Sequence, residues 1–208
     1  MTRLVLPPLY AIVDPLDTSR SPSDLAAALL AGGARLLQLR LKAASSRDLL
    51  EAARALRTLT RSAGALLLIN DRPDVARAAE ADGVHLGQDD LPIAAARAVL
   101  APGAIVGLST HDVTQAQRGA AAGADYLGVG PVFATSTKPS ALGGRGLSLV
   151  AAVRAATTLP LVAIGGITPE TAPAVRAAGA DAVAMIAALV RAPDVAAAVR
   201  DTLRQLTA

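Results

Sequence analysis

The chain has no cysteine and no tryptophan, and only one phenylalanine, two tyrosines and two histidines among its 208 residues. Without cysteine there is neither a disulfide framework nor a thiolate zinc knuckle, which fits a reducing compartment. With so few rings there is almost nothing to stack on bases, so a single-stranded nucleic-acid surface is excluded. Twenty Lys and Arg against 17 Asp and Glu give a net charge of only +3. These basic residues are scattered singly along Ala-rich segments, the pattern of a solvated helix surface rather than of a polyanion track. Small anionic ligands remain open. No charge-free apolar run reaches the roughly 18 residues of a membrane span. The opening MTRLVLPPLYAIVD is broken by Pro7 and Pro8 too early for a signal sequence. The expectation is a soluble cytoplasmic chain with no nucleic-acid or membrane partner, forming one domain over residues 1–208 with a continuous core.

Two textures alternate through the chain. LYAIVD (9–14), RLLQLRLK (35–42), ALLLIN (65–70), GVHLG (83–87), AIVGLS (104–109), DYLGVG (125–130), PLVAIGGI (160–167) and DAVAMIAAL (181–189) are short, near-continuous apolar runs, as in strands buried on both faces. Between them lie Ala-, Leu- and Arg-rich segments with helical spacing. Ser21 with Pro22 opens the first and Gly32-Gly33 closes it; Ser45-Ser46 opens the second and Gly64 ends it; Thr168 as cap with Pro169 opens the seventh. Eight strand–helix units in 208 residues predict an all-parallel closed (β/α)8 TIM barrel with short loops. The endings AEADGVHLG (79–87), AAGADYLGV (121–129) and AAGADAVAM (177–185) each read as a helix terminus followed by a strand. An open doubly wound sheet would carry a Gly-rich fingerprint after its first strand, and LYAIVDPLDT has none.

In such a barrel the chemistry sits at the C-terminal strand ends. The second run ends in Gln38, Arg40 and Lys42, spaced by two and so expected on one face. Such a set is expensive to bury unless it meets an anion or neighbouring carboxylates. Asn70-Asp71 ends the third run, Gln88-Asp89-Asp90 follows the fourth and Ser109-Thr110-His111 ends the fifth. Carboxylates from adjacent strand ends suit a hard divalent cation that keeps phosphate oxygens among its ligands; Asp71 beside Pro73, and Asp89 or Asp90 beside Pro92, could instead cap helices. With Arg40 and Lys42 nearby, a Mg2+-diphosphate site is the better reading. GVGPVFATSTKPS (128–140) places Thr135, Ser136, Thr137 and Lys138 in one loop over the mouth, suited to grip and release a phosphorylated molecule. Gly165-Gly166 and the last strand end match a phosphate site built from backbone donors. His85 reads as a hydrogen-bonded barrel histidine, His111 as a cap or solvent-exposed residue, and Arg145 in GGRG as a lid or surface charge.

QLRLK (38–42), NDRPDVA (70–76), DGVHLGQDD (82–90), GLSTH (107–111), GVGPVFATSTK (128–138) and AIGGIT (163–168), in that order, resemble the thiamine-phosphate synthase family over nearly the whole chain. The resemblance implies a (β/α)8 transferase that joins a pyrimidine diphosphate to a thiazole phosphate and releases pyrophosphate with Mg2+ bound. It assigns Gln38, Arg40, Lys42 and Asn70 to the pyrimidine diphosphate, with Ser109 and Lys138 joining them at the pyrophosphate. Asp71 and Asp90 become the magnesium carboxylates; Thr135, Thr137, Gly166, Ile186 and Ala187 the thiazole-phosphate site. Arg40, Lys42, Lys138 and Ser109 would carry an electrostatic, dissociative catalysis that needs no protein nucleophile.

The chain departs from the family pattern in three places. Ala187 stands where a serine is usual, which loses a hydroxyl but keeps a backbone donor; Leu41 stands where an acidic residue is usual and should point away from the site. PSALGGRGLSL (139–149) is also similar to the sister thiazole tautomerases, isomerases that would need an acid–base residue at the mouth but not both carboxylates. A third reading is a non-catalytic barrel that binds a phosphorylated metabolite. The Ala-rich helix surfaces leave a homodimer contact open.

Overall fold

The structure is a computed structural model and describes residues 4–16, 18–135 and 143–207. Eight parallel strands close in chain order: β1 (Leu9–Val13), β2 (Leu36–Leu39), β3 (Leu66–Asn70), β4 (Gly83–Leu86), β5 (Ile105–Thr110), β6 (Tyr126–Val129), β7 (Leu161–Ile164) and β8 (Ala182–Met185), with β8 pairing back to β1. The helices that follow them are α1 (Pro22–Ala31), α2 (Ser46–Ser62), α3 (Pro73–Ala78), α4 (Ile93–Val99), α5 (Val113–Ala121), α6 (Gly146–Ala156), α7 (Ala172–Ala177), the short α8 (Ala187–Val190) and α9 (Val195–Thr207). This is the (β/α)8 barrel that the alternating textures predict.

The apolar runs are continuous because the strands separate two cores. Leu9, Ala11 and Val13 of β1, with Leu37 and Leu39 of β2, face the helices. Tyr10 and Ile12, Leu36, Leu68, Tyr126, Val162, Ala182 and Ala184 fill the lumen. Alternate residues thus enter different apolar compartments, and no polar face remains to produce a period of two.

The helix starts follow from local chemistry. Ser21 accepts from the Asp24 amide at 3.1 Å and Ser45 from the Asp48 amide at 3.2 Å, each occupying an amide that the first turn cannot satisfy. The seventh helix begins later than Thr168 and Pro169 predict. Thr168 N donates to Thr171 Oγ1 at 2.9 Å, which closes a separate turn, and the helix starts at Ala172 with Pro173 in its first turn. The second strand is also shorter than its apolar run. Arg40 N still donates to Val13 O at 3.0 Å, but the chain then turns, with Ala44 N donating to Leu41 O at 3.2 Å.

The recurring Asp of the helix–strand junctions does more than end a helix. Asp82, Asp125 and Asp181 each precede an even-numbered strand, and each carboxylate accepts an amide of the preceding odd strand: Leu67 N at 2.7 Å, Val106 N at 2.7 Å and Leu161 N at 2.8 Å. Each also receives an arginine from the helix that precedes that odd strand, Arg57 of α2 at 2.8 Å, Arg97 of α4 at 2.9 Å and Arg154 of α6 at 3.0 Å. One clamp therefore recurs in three successive pairs of units and ties helix to sheet at the N-terminal end, opposite the mouth. Asp82→Ala leaves both an amide and a guanidinium without this partner. It should cost about 1–3 kcal/mol, read by calorimetry as a fall in Tm of roughly 2–4 °C per kcal/mol for a domain of this size. An unchanged Tm would show that the clamp does not hold the barrel.

Candidate functional site

The C-terminal strand ends gather the polar residues. After β3 the chain takes a conformation rare for a residue with a side chain, Asp71 at φ 62°, held by donation of its amide to His85 O at 2.8 Å. This turn carries the Asp71 carboxylate away from α3, whose N-cap position is Arg72 with no side-chain cap, and toward Lys42, whose Nζ lies 3.1 Å from Asp71 Oδ2. Asp90 is likewise no helix cap: its Oδ2 accepts from Gly87 N at 2.6 Å, and the cap position of α4 is Pro92. A Cβ on Gly87 would lie 2.9 Å from that same oxygen, so the approach needs glycine. Neither expected capping role is therefore taken up.

Instead the two carboxylates meet. Burial raises the Asp71 carboxyl, but hydrogen bonds from Asp90 and Lys42, the Lys42 charge and a hydrogen bond from Asn70 outweigh it and hold the group below the usual range. Asp90 moves the other way: burial, the hydrogen bond to Asp71 and its negative charge together raise it, against the Gly87 amide and Lys42. Two carboxyls held together in this way need a shared proton or a cation between them. A hard divalent cation fits this donor set, since both groups offer oxygen and stand beside a lysine suited to an anion. Among the described residues no cluster of three or more His, Cys, Asp and Glu side chains is placed to hold a metal, so the pair would leave positions for other oxygen ligands.

The three residues at the end of β2 do not act as one patch. Gln38 is 3 % exposed and points into the lumen, donating from Nε2 to Tyr10 Oη at 2.8 Å. Arg40 pairs with Asp14 through Nη1 and Oδ2, and Asp14 also accepts from Leu16 N at 3.1 Å. Lys42 joins the Asp71–Asp90 pair. Leu41 packs on the helix-side core, away from the mouth, as its alternation predicts. Asp14 is a member of this set that the motif reading passed over. Its signal was a carboxylate directly after an apolar strand, in LYAIVD.

On β5, Ser109 Oγ lies 2.8 Å from His85 Nε2, and the Ser109 carbonyl accepts from Gln88 Nε2 at 2.6 Å. His111 is not a cap and not solvent-exposed: Asp112 caps α5, and the half-buried His111 ring donates from Nδ1 to Gly130 O at 2.6 Å. Across the mouth, residues 131–135 fold down on the end of β7. Val132 N donates to Ile164 O and Phe133 N to Gly165 O, both at 2.9 Å. Gly166 has φ 61°, and a Cβ there would stand 2.4 Å from Ala134 O, so only glycine permits the contact. Thr135 lines a cleft of about 110 Å³ with Pro131, Ala134 and Gly143. Ile186 occupies the N-cap position of α8 and Ala187 its first residue, offering backbone only. Arg145 is exposed at the start of α6. Thr137 and Lys138 lie outside the described residues.

The chain is similar to known proteins over most of its length. The family model described as thiamine monophosphate synthase matches residues 9–189. The thiamine-phosphate synthase of Methanoculleus marisnigri is 50% identical over 96% of this chain and 95% of its own length. That of Moorella thermoacetica is 48% identical over 92% of each. A solved thiamine phosphate pyrophosphorylase from Pyrococcus furiosus superposes with a TM-score of 0.87 at 37% identity, covering 96% of this chain and 95% of that one. No helix among the described residues is long and apolar enough to cross a membrane.

The Asp14–Arg40 pair has a direct test. Asp14→Asn keeps the volume and removes the charge that holds the guanidinium; charge-assisted hydrogen bonds contribute about 1.5–3 kcal/mol, so kcat/KM should fall roughly tenfold or more. Steady-state kinetics that match the parent would mean that Arg40 is positioned without Asp14.

Proposed function

This chain belongs to the thiamine monophosphate synthase family and is a transferase of thiamine biosynthesis; we propose that it couples 4-amino-2-methyl-5-(diphosphooxymethyl)pyrimidine to a thiazole phosphate, with Mg2+, by a dissociative route. The observation that carries the proposal is the Lys42–Asp71–Asp90 cluster, a joined pair of carboxylates with a cation beside it at the mouth of the barrel. The sister isomerases would not need that pair. A binding-only barrel would gain nothing from it.

In the proposed reaction the bond between the pyrimidine methylene and the diphosphate oxygen breaks, and its electron pair leaves with pyrophosphate. The thiazole nitrogen then gives its lone pair to the methylene carbon, forming thiamine phosphate. The chain supplies position and charge rather than a nucleophile. Arg40, Lys42 and Lys138 would answer the charge that develops on the leaving group, and Ser109 would donate a hydrogen bond to it. Asp71 and Asp90 would hold Mg2+, and the chemistry a bound Mg2+ supplies is neutralisation of the diphosphate oxygens. Thr135 and Thr137, with the backbone of Gly166, Ile186 and Ala187, would hold the phosphate of the second substrate.

Pyrophosphate should appear only when both substrates and Mg2+ are present; release from the pyrimidine diphosphate alone would contradict coupled transfer. Asp71→Asn and Asp90→Asn should each lower turnover about 100-fold, because a bound metal contributes several kcal/mol of charge stabilisation. Their Tm should barely move, since neither carboxylate caps a helix. Lys138→Ala should mainly lower kcat, and Thr135→Val should mainly raise KM for the thiazole phosphate. If both changes act only on the pyrimidine substrate, the loop over the mouth does not bridge two sites.

A further inference from the structure

The lumen contains one continuous hydrogen-bonded chain whose use the reaction above does not specify. Gln38 Nε2 is 2.8 Å from Tyr10 Oη, Tyr10 Oη is 3.2 Å from Tyr126 Oη, Tyr126 Oη is 2.7 Å from His85 Nδ1, and His85 Nε2 is 2.8 Å from Ser109 Oγ. The chain crosses the barrel from β2 through β1, β6 and β4 to β5 and ends at the mouth. Its rings are fixed by packing. The Tyr10 and Tyr126 rings meet edge to face at 6.1 Å, and His85 stacks on Tyr126 at 5.5 Å and 24°. Strand glycines make the room: a Cβ on Gly107 would lie 2.0 Å from Tyr126 Cζ, and one on Gly128 would lie 3.0 Å from His85 Cε1.

Counting protons gives this chain a direction. The Gln38 amide nitrogen has only protons to offer, so Tyr10 Oη accepts from it. Each phenol has one proton, and burial, the leading cause for both, raises Tyr10 and Tyr126 well above the ordinary phenol value, so both keep it. If Tyr10 donates to Tyr126, then Tyr126 donates to His85 Nδ1. A neutral imidazole carries one N–H, so Nε2 must bear it and donate to Ser109 Oγ. With Gln38 presenting Nε2 to Tyr10, the opposite direction would turn the Tyr10 proton onto another donor, in a lumen walled by Ile12, Leu36, Leu68 and Val162, and a buried donor left without a partner is costly.

We propose that His85 and Tyr126 are positioning residues for the transfer reaction: the relay from Gln38 holds His85 as the Nε2–H tautomer, so that Ser109 accepts from inside the barrel and its own proton is aimed at the anion in the mouth. Without the relay the Ser109 hydroxyl can satisfy itself by turning inward to an unprotonated Nε2. With it, the only proton of that hydroxyl is left for the substrate. The functional half rests on the reading of Ser109 as a contact to the leaving diphosphate.

Nitrogen-15 NMR of the imidazoles tests the polarity without any substrate. His111 provides an internal contrast, because the Gly130 carbonyl can only accept and so His111 must carry its proton on Nδ1; a His111→Gln chain assigns the two sets of signals. His85 should show a protonated Nε2 and an accepting Nδ1, and Tyr126→Phe should shift it toward the other tautomer. In pyrophosphate-release kinetics, Tyr126→Phe and Ser109→Ala should each lower kcat roughly tenfold, and the double variant should be no slower than Ser109→Ala, since both changes remove one interaction. Tyr10→Phe cuts the relay one link earlier and should move both readouts in the same direction if Tyr126→Phe does not fold. A parent chain with His85 protonated on Nδ1 overturns the polarity. The expected tautomer with Tyr126→Phe at parental kcat overturns the positioning role. Full turnover by Ser109→Ala overturns the reading of that hydroxyl as a diphosphate contact, while the tautomer result stands apart from it.

Discussion

Two carboxylates in contact are the constraint on which the mouth of this barrel depends. Asp71 and Asp90 arrive from neighbouring strand ends, and like charges so close repel unless something positive intervenes. The fold spends backbone strain to bring them together: Asp71 adopts φ 62°, and Gly87 gives up its side chain so that Asp90 can approach. Lys42 answers part of the charge, and Asn70 steadies Asp71. A stable domain has no use for this frustration on its own account, and under the proposed function a cation and a polyanionic substrate would relieve it.

Below the mouth the barrel resolves a different problem. Its lumen is apolar enough to pack as a core, yet Gln38, Tyr10, Tyr126 and His85 place polar atoms inside it. Each polar atom along that path finds a partner, so the network is rigid rather than costly. The N-terminal end carries the structural burden through the repeated Arg–Asp clamps at Asp82, Asp125 and Asp181. Stability at one end and chemistry at the other leave the strand ends free to hold unfavourable groups.

Most of the fold was legible in the sequence because both faces of every strand are buried, which leaves uninterrupted apolar runs, and because Ser21 and Ser45 cap their helices through ordinary local chemistry. The carboxylates and the lysine were legible as polar residues at predicted strand ends. Their contacts were not, since Asp71 turns on a conformation that its residue type only permits. Gln38, Arg40 and Lys42 look like one face when spaced by two, but β2 stops at Leu39 and the three side chains take separate partners. The relay was invisible for another reason: its links join residues 28, 116, 41 and 24 positions apart, so no local motif records them. Asp14 was hidden because a carboxylate after a strand has many uses until the arginine beside it is seen.

The central claim is that the joined carboxylates await a cation together with an anion. Titration calorimetry of Mg2+ into the chain, with and without inorganic pyrophosphate, measures this without turnover. The account predicts weak Mg2+ binding alone, at least tenfold tighter binding when pyrophosphate is present, and loss of that coupling in Asp90→Asn. Equal Mg2+ affinity in the presence and absence of pyrophosphate, or coupling that survives Asp90→Asn unchanged, would contradict it.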